Sequence, residues 1–134
     1  MLKPKIHWNC KLEKDFQWQL TSAYKREWCF AFKLPDNSMT AKPYDMILVW
    51  LDWVSHHIEL KITKDLSINI NALRPNQKAS LRDISKINPD IAWVFVYSTK
   101  NHEYYCMKYN EFRANANEKR TVKLFNSSWL IIKN

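Results

Sequence analysis

Apolar residues in the middle of the chain fall into two short runs, Tyr44 to Trp50 and Val54 to Ile62, separated by a few turn-capable residues. Both runs are rich in β-branched and aromatic residues, which favour the pleated, half-buried surface of a strand. Because only a short turn separates the runs, they predict neighbouring strands of one sheet. We expect this hairpin to form the centre of the fold.

The second run alternates between apolar and charged residues along its later half. Successive side chains of a strand point to opposite faces of the sheet, so Glu59 and Lys61 are expected to share one face. The other face is then filled by the aliphatic residues Ile58, Leu60 and Ile62. The pattern therefore predicts a carboxylate and an ammonium group side by side, on a strand anchored through its opposite face.

Two longer segments have the periodicity of amphipathic helices. Apolar residues recur every four positions between Cys10 and Tyr24, which places them in one stripe of a helix. A second helix is predicted from about Pro75 to Ile87, because proline is pre-organised for a first helical turn. Glu13 then lies beside the stripe of the first helix, and Gln77 lies in the first turn of the second.

Three more runs complete the predicted strands: Glu27 to Leu34, Ile91 to Tyr97 and Glu103 to Lys108. The second of these is continuously apolar, as strands in the middle of a sheet are. Residues 63 to 71 are polar, and the end of the chain is less regular, with a short helical piece at 110 to 115 and an apolar segment at 129 to 132. The predicted order is helix, three strands, helix, two strands.

The length and charge of the chain limit its organisation and its partners. A chain of 134 residues is expected to form one domain, whose core from about 10 to 112 needs no disulfide or structural metal, and the role of the tail at 113 to 134 is unassigned. The formal net charge of +8, from 21 Lys and Arg against 13 Asp and Glu, favours a polyanionic partner. Many basic proteins bind no nucleic acid, so charge alone leaves the partner open.

Absent and scarce residues exclude several classes of site. The chain has no glycine, which excludes Walker A, Rossmann and glycine-rich kinase loops, since these bring the backbone close to phosphate through glycine. The three cysteines are odd in number and lack CxxC spacing, which argues against a zinc site and a disulfide framework. No run has transmembrane length and no leader is evident, so we expect an intracellular protein without membrane contact.

The most specific candidate chemistry is the acid-x-lysine motif of the second run. If the hairpin is antiparallel and its turn short, Asp45 brings a second carboxylate beside Glu59. Two converging carboxylates and the amine of Lys61 describe a magnesium-dependent phosphodiester site. The motif alone is weak, and a solvated strand face with an ion pair is the alternative explanation.

The order of elements and these residues resemble the PD-(D/E)xK nuclease superfamily. Its α/β, restriction-endonuclease-like core is a helix, a three-stranded meander, a helix and a further strand (αβββαβ), with a central mixed sheet flanked by helices. Pro43-Tyr44-Asp45 stands in the place of the first motif and Glu59-Leu60-Lys61 in the place of the second. More narrowly, the chain is similar to Holliday junction resolvases of bacteria and their phages, with Asn76-Gln77 at the helix start and residues 91 to 112 as the closing hairpin and the stretch after it.

The resemblance implies a function and roles for individual residues. It implies a metal-dependent endodeoxyribonuclease in which Lys61 orients or activates the attacking water and Gln77 positions the lysine, the water or a phosphate. The cofactor would be Mg²⁺, with Mn²⁺ able to substitute. The implied metal ligands are Asp45, Glu59, the backbone carbonyl of Leu60, and Glu13.

The same resemblance implies branched DNA as partner, a homodimer with twofold symmetry, and a bacterial, phage or viral origin. Residues 36 to 42 are too few for the bridging stalk that cellular resolvases insert there, which leaves a flap-specific, end-specific or restriction-type nuclease as an alternative. A catalytically inactive nucleic-acid-binding module and a protein-interaction subunit are two further hypotheses.

Four basic residues are expected to contact phosphates, or else to form a solvated face: Lys64, Arg74, Lys78 and Arg82.

Overall fold

The computed structural model describes residues 3–35, 42–50 and 53–124. Three helices, seven strands and one 3-10 turn follow one another in these ranges. They are α1 Glu13–Arg26, β1 Phe30–Lys33, β2 Met46–Val49, β3 Ser55–Thr63, β4 Ser67–Asn69, the 3-10 turn Ile70–Ala72, α2 Pro75–Ile87, β5 Ala92–Ser98, β6 Glu103–Lys108, α3 Tyr109–Ala114 and β7 Thr121–Lys123.

Five strands form a mixed sheet in the order β1-β2-β3-β5-β6. The first three strands form an antiparallel meander, and the register pairs Ile47 of β2 with His57 of β3. β5 then pairs in parallel with β3, placing Val94 opposite Glu59, and β6 returns antiparallel to β5. The crossover between the parallel strands β3 and β5 contains α2, as such connections usually do.

Helices cover both faces of this sheet. The apolar stripe of α1, with Phe16 and Leu20, packs with Leu60 of β3 in one core cluster. On the other face, Leu81 of α2 and Phe112 of α3 belong to a second cluster. The predicted α/β architecture, a central mixed sheet flanked by helices, is confirmed. Helices lie on both faces because a sheet that buries a face needs an apolar layer packed against it.

The polar segment after β3 is more ordered than its sequence suggests. β4 pairs antiparallel with β7, and Ile68 lies opposite Val122 in this small two-stranded sheet. Val122 and Leu124 belong to the second core cluster, although the sequence places the end of the core near residue 112. Each strand has only three residues, too few for a recognisable alternation. The predicted apolar end at 129 to 132 lies outside the described residues.

Without glycine, other residues adopt the left-handed backbone conformation in the described turns. Four have positive φ angles between 57° and 63°: Trp28, Trp53, His102 and Arg120. Side chains with a Cβ tolerate this conformation less well than glycine. The three cysteines are free and buried. No described helix combines the length and apolar character needed to cross a membrane.

Candidate active site

Three carboxylates from three different elements meet at one edge of the central hairpin. Glu13 begins α1, Asp45 directly precedes β2, and Glu59 lies in the middle of β3. One carboxylate oxygen of each residue lies within 4.8 Å of the others. The backbone N–H of Asp45 donates to the carbonyl of Ile58 at 3.0 Å, so the antiparallel pairing extends past β2 and brings Asp45 beside Glu59.

The Asp45 carboxylate is buried and firmly held. Its Oδ2 accepts a hydrogen bond of 2.7 Å from the backbone N–H of Leu60. Its Oδ1 accepts one of 3.1 Å from Nε2 of Gln17 and lies 3.0 Å from Nζ of Lys42. Contacts with two elements and an ammonium group fix the carboxylate in one orientation, which a ligand to a cation requires.

Glu59 is the opposite case, a buried carboxylate with few partners. Its side chain is 0% exposed, and neither oxygen accepts a hydrogen bond from a described residue. The Nζ of Lys61 lies 3.1 Å from Oε2, a distance for ionic attraction, and 3.7 Å from Oε1 of Glu13. Burial, and then the nearby Asp45 carboxylate, raise the pKa of Glu59 in spite of Lys61.

Glu13 completes this cluster from the rim. Its pKa is also raised, chiefly by burial, while the Lys61 ammonium opposes the shift. Glu13 and Glu59 therefore share the field of Lys61 in a poorly solvated place, with the Asp45 carboxylate close to both. Buried carboxylate oxygens without donors are costly, and a divalent cation with oxygen ligands would satisfy them. The residues present thus fit a hard cation such as Mg²⁺ or Mn²⁺.

The cluster opens into a cleft of about 250 Å³. Glu59 lies buried below the residues that line this cleft. Five of the predicted site residues line it, together with three that the sequence analysis missed, namely Lys14, Gln17 and Lys42. The full lining is Glu13, Lys14, Gln17, Lys42, Asp45, Lys61, Arg74 and Gln77.

Only some of the missed residues had a local signal. Gln17 follows Glu13 by four positions in α1, and positions i and i+4 share a helix face, whereas Lys14, one position after Glu13, had no such signal. Lys42 precedes Asp45 by three residues, and its ion pair with Asp45 is the local contact to expect at that spacing. The signals are weak because nothing in the sequence states which face of α1 turns toward the hairpin.

Gln77 lines the cleft and has a structural contact there. Its Oε1 accepts a hydrogen bond of 2.8 Å from the backbone N–H of Arg74, which caps the first turn of α2. The side-chain Nε2 carries two further N–H donors. Gln77 therefore combines a helix cap with donors beside the carboxylate cluster. The role of the Leu60 carbonyl as a metal ligand stays a prediction.

The four predicted DNA-contacting residues are arranged unequally. Arg74 lines the cleft, and Lys78 and Arg82 follow it at intervals of four residues along one side of α2. Lys78 donates from Nζ to Oδ1 of Asn71 at 2.6 Å, and the Nε of Arg82 lies 3.7 Å from a carboxylate oxygen of Asp83. Lys64 is exposed just after β3. Their contact with DNA stays a prediction.

Comparisons with known proteins bear on the fold. No known family model matches the sequence, and no curated protein matches it. The structure is similar to that of Hjc from Archaeoglobus fulgidus, a Holliday junction resolvase from an archaeal hyperthermophile. The TM-score is 0.60 at 13% sequence identity, and the match covers 81% of this chain and 85% of that chain.

This match confirms the predicted restriction-endonuclease-like fold and the resemblance to Holliday junction resolvases at the level of the fold. The matched protein is archaeal, so the expected bacterial, phage or viral origin stays a prediction.

Proposed function

We propose that the chain is a metal-dependent endodeoxyribonuclease that cuts branched DNA, with the four-way junction as its preferred substrate. The observation that carries the proposal is the cluster of Glu13, Asp45 and Glu59, whose carboxylate oxygens lie within 4.8 Å of one another beside the Lys61 ammonium. The fold shared with an archaeal Holliday junction resolvase supports the choice of substrate.

In this mechanism the three carboxylates, with the carbonyl of Leu60, would hold Mg²⁺ or Mn²⁺. When bound, such an ion polarises phosphoryl oxygens and makes water a better nucleophile at neutral pH. Lys61 orients the attacking water with its ammonium N–H groups and offsets negative charge that develops on the phosphate. Gln77 positions the water or a phosphate oxygen through Nε2.

Cationic side chains around the cleft would bind the DNA backbone. The opening of the cleft is lined by Lys14, Lys42 and Arg74. A phosphate of the cut strand, adjacent to the scissile one, would lie there. Arg74 also begins the basic side of α2, which continues to Lys78 and Arg82. Binding through these groups releases counterions, so affinity should fall steeply as the salt concentration rises.

Resolution of a four-way junction needs two symmetric cuts, and one chain supplies one acidic cluster in its described residues. We therefore include a homodimer with twofold symmetry in the proposal, because a symmetric junction is matched by two symmetric sites. Sedimentation of the protein alone and with a junction tests this point. A monomer in both conditions would contradict it.

The deciding experiment measures nicking of a labelled four-way junction with Mg²⁺ or Mn²⁺ by the parent, Asp45→Asn and Glu59→Gln. Glu103→Gln is the matched control, because Glu103 is an exposed acid. We expect paired symmetric cuts by the parent and control, and a loss of at least about 100-fold in the other two variants.

Flap and linear duplex substrates separate the alternatives. Equal cleavage of junction, flap and duplex would keep the nuclease and reject junction specificity. Binding without cleavage in any divalent metal would reject the enzyme and favour an inactive nucleic-acid-binding module. A complete lack of salt-dependent DNA binding would reject both and favour a protein-interaction subunit.

A further inference from the structure

A second cleft, of about 350 Å³, is formed by α1 and the segment that precedes it. Its volume is in the range of small-molecule sites. Two tryptophans line it and are unusually exposed, Trp8 at 73% and Trp18 at 69%. In the described part of the chain, neither indole packs against another aromatic ring. The complete lining is Trp8, Asn9, Lys11, Asp15, Trp18 and Gln19.

Specific hydrogen bonds hold the walls of this tryptophan cleft in place. The backbone N–H of Trp8 donates to Oε1 of Gln19 at 3.2 Å, and that of Leu12 donates to Oδ2 of Asp15 at 2.9 Å. The N–H of Cys10 between them donates to the Tyr97 hydroxyl at 3.1 Å, inside the core. The segment before α1 is therefore tied to the helix and to the sheet. The cleft is preformed, which lowers the entropic cost of binding.

The position of the tryptophan cleft relates it to the carboxylate cluster. Lys14 lines the carboxylate cleft, and Trp18, four residues later on the same side of α1, lines the tryptophan cleft. Residues four apart on one side of a helix have Cβ atoms about 5–6 Å apart, so the two clefts are neighbours where Lys14 and Trp18 line them. An extended nucleic-acid strand that leaves the carboxylate cluster across Lys14 would pass Trp18.

We propose that the tryptophan cleft binds an unpaired nucleobase of the DNA strand whose backbone crosses Lys14 to the carboxylate cluster. The proposal rests on the proposed function and narrows its substrate to branched DNA with unpaired nucleotides near the cut. Trp8 and Trp18 supply indole faces for stacking, and stacking on tryptophan tolerates any base. Lys11 supplies a charge for the adjoining phosphate, and the net charge of +8 suits a polyanion.

The chemistry of the cleft selects an unpaired base. A base inside a duplex has both faces covered by its neighbours, so only an unpaired or terminal base can stack on an indole. The Asn9 amide offers two N–H donors and one acceptor oxygen for the edge of such a base. A protein partner or a second copy of the chain would use the same tryptophans without any preference for unpaired nucleotides, which the experiment can distinguish.

The test measures binding in EDTA, so that cleavage plays no part. Fluorescence anisotropy compares a fully paired four-way junction with one that carries a few unpaired thymidines at the branch point. We expect the parent to bind the second junction more tightly. Combined Trp8→Ala and Trp18→Ala substitution should lose roughly 5- to 150-fold in affinity for it, the range reported for one stacked base.

Two further double variants make the result specific. Combined Trp28→Ala and Trp53→Ala substitution is the matched control, because these tryptophans are 87% and 88% exposed and lie in turns away from this cleft. The control should bind like the parent. Combined Trp8→Phe and Trp18→Phe substitution keeps aromatic faces and should retain most of the preference. Equal loss in the control, or parental binding by the Trp8 and Trp18 alanine variant, overturns the proposal.

Cleavage with Mg²⁺, measured separately, distinguishes this proposal from the proposed function. If the parent cuts junctions while the alanine variant keeps the parental preference, the nuclease stands and the nucleobase site is wrong. If the preference for the junction with unpaired thymidines depends on Trp8 and Trp18 but neither the parent nor any variant cuts DNA, the nucleobase site stands and the nuclease is wrong. Absence of DNA binding by the parent overturns both.

Discussion

Glu59 and Leu60 are neighbours on β3 and are both 0% exposed, yet their surroundings differ completely. Leu60 lies under α1 in a core cluster that includes Phe16 and Ile58. The Glu59 carboxylate points to the opposite face, where neither oxygen accepts a hydrogen bond from a described residue. Burial stabilises the fold by about 1.5–3 kcal/mol at a side chain such as Leu60, and it costs stability at Glu59.

This difference shows how a strand can carry an unfavourable group. β3 lies at the centre of the five-stranded sheet, with β2 and β5 as its hydrogen-bonded neighbours. The pairing and the aliphatic face fix its position whether or not Glu59 is satisfied. A strained group persists in a fold only where its surroundings determine its place, and such groups concentrate at functional sites. Three predictions test this difference between the packed core and the carboxylate cleft.

The largest expected effect comes from Leu60→Ala. It should lower the free energy of unfolding by about 2–5 kcal/mol, because it removes buried methyl groups and leaves a cavity. Urea denaturation of the metal-free protein measures the change. Leu60→Met approximately conserves volume and should cost less than about 1.5 kcal/mol. Similar, small losses in both variants would show that this side chain is not part of the packed core.

Glu59→Gln should have the opposite sign and raise the free energy of unfolding of the metal-free protein at pH 8 by about 1–3 kcal/mol. The amide has nearly the same shape and stays neutral, whereas folding at pH 8 requires the Glu59 carboxyl either to take up a proton or to bury its charge beside Asp45. In this variant the Lys61 ammonium still has an ionic partner, the Glu13 carboxylate at 3.7 Å. Urea denaturation in EDTA measures the change, with Glu103→Gln as the control for loss of an exposed charge.

The pH dependence provides a second measurement of the same prediction. The pKa of Glu59 is raised in the folded chain, so above the ordinary value of 4.5 the folded state binds more protons than the unfolded state. The contribution of Glu59 to the stability of the parent therefore falls as the pH rises from 4.5 to about 9. The slope of the free energy of unfolding against pH should be smaller in Glu59→Gln. It should not be zero, because the pKa of Glu13 is also raised. Equal slopes, or a less stable variant at pH 8, would contradict the prediction.

The smallest expected effect comes from Gln77, and it separates stability from activity. Gln77→Ala removes the acceptor of the Arg74 N–H and should cost about 1 kcal/mol of stability. Gln77→Glu keeps this acceptor and should restore the stability, but it removes both amide donors and adds a negative charge to the cleft. Thermal unfolding and junction cleavage measure the two effects. Full cleavage by Gln77→Glu would show that Nε2 has no role in positioning.

Much of the fold follows from local patterns. The predicted limits of α2, from Pro75 to Ile87, and of β6, from Glu103 to Lys108, agree with the structure. α1 begins at Glu13 and not at Cys10, because Asp15 accepts hydrogen bonds from the N–H groups of Lys11 and Leu12 and so sets the helix start. The β4 and β7 pair was missed because strands of three residues gain their stability from partners far along the chain.

The candidate site divides in the same way. The motif of Glu59 and Lys61 and its relation to Asp45 follow from one hairpin, whose geometry is local. The expectation that Glu13 joins the carboxylate cluster comes from the resemblance to a nuclease family and not from any pattern in this chain. The contacts of Asp45 with Gln17 and Lys42, and the cleft around them, were not predicted. Those contacts depend on how α1 packs on the sheet.

The helices, the main strands, and the separation of Leu60 and Glu59 onto opposite faces follow from local patterns in the chain, because periodicity of two or about 3.6 residues is a property of short segments. The packing of the whole fold decided that the Glu59 side chain is fully buried and that Glu13, Asp45 and Glu59 converge. It also decided that Trp8 and Trp18 line one cleft. Burial and convergence arise when segments distant in sequence pack together, and a local pattern does not specify that packing.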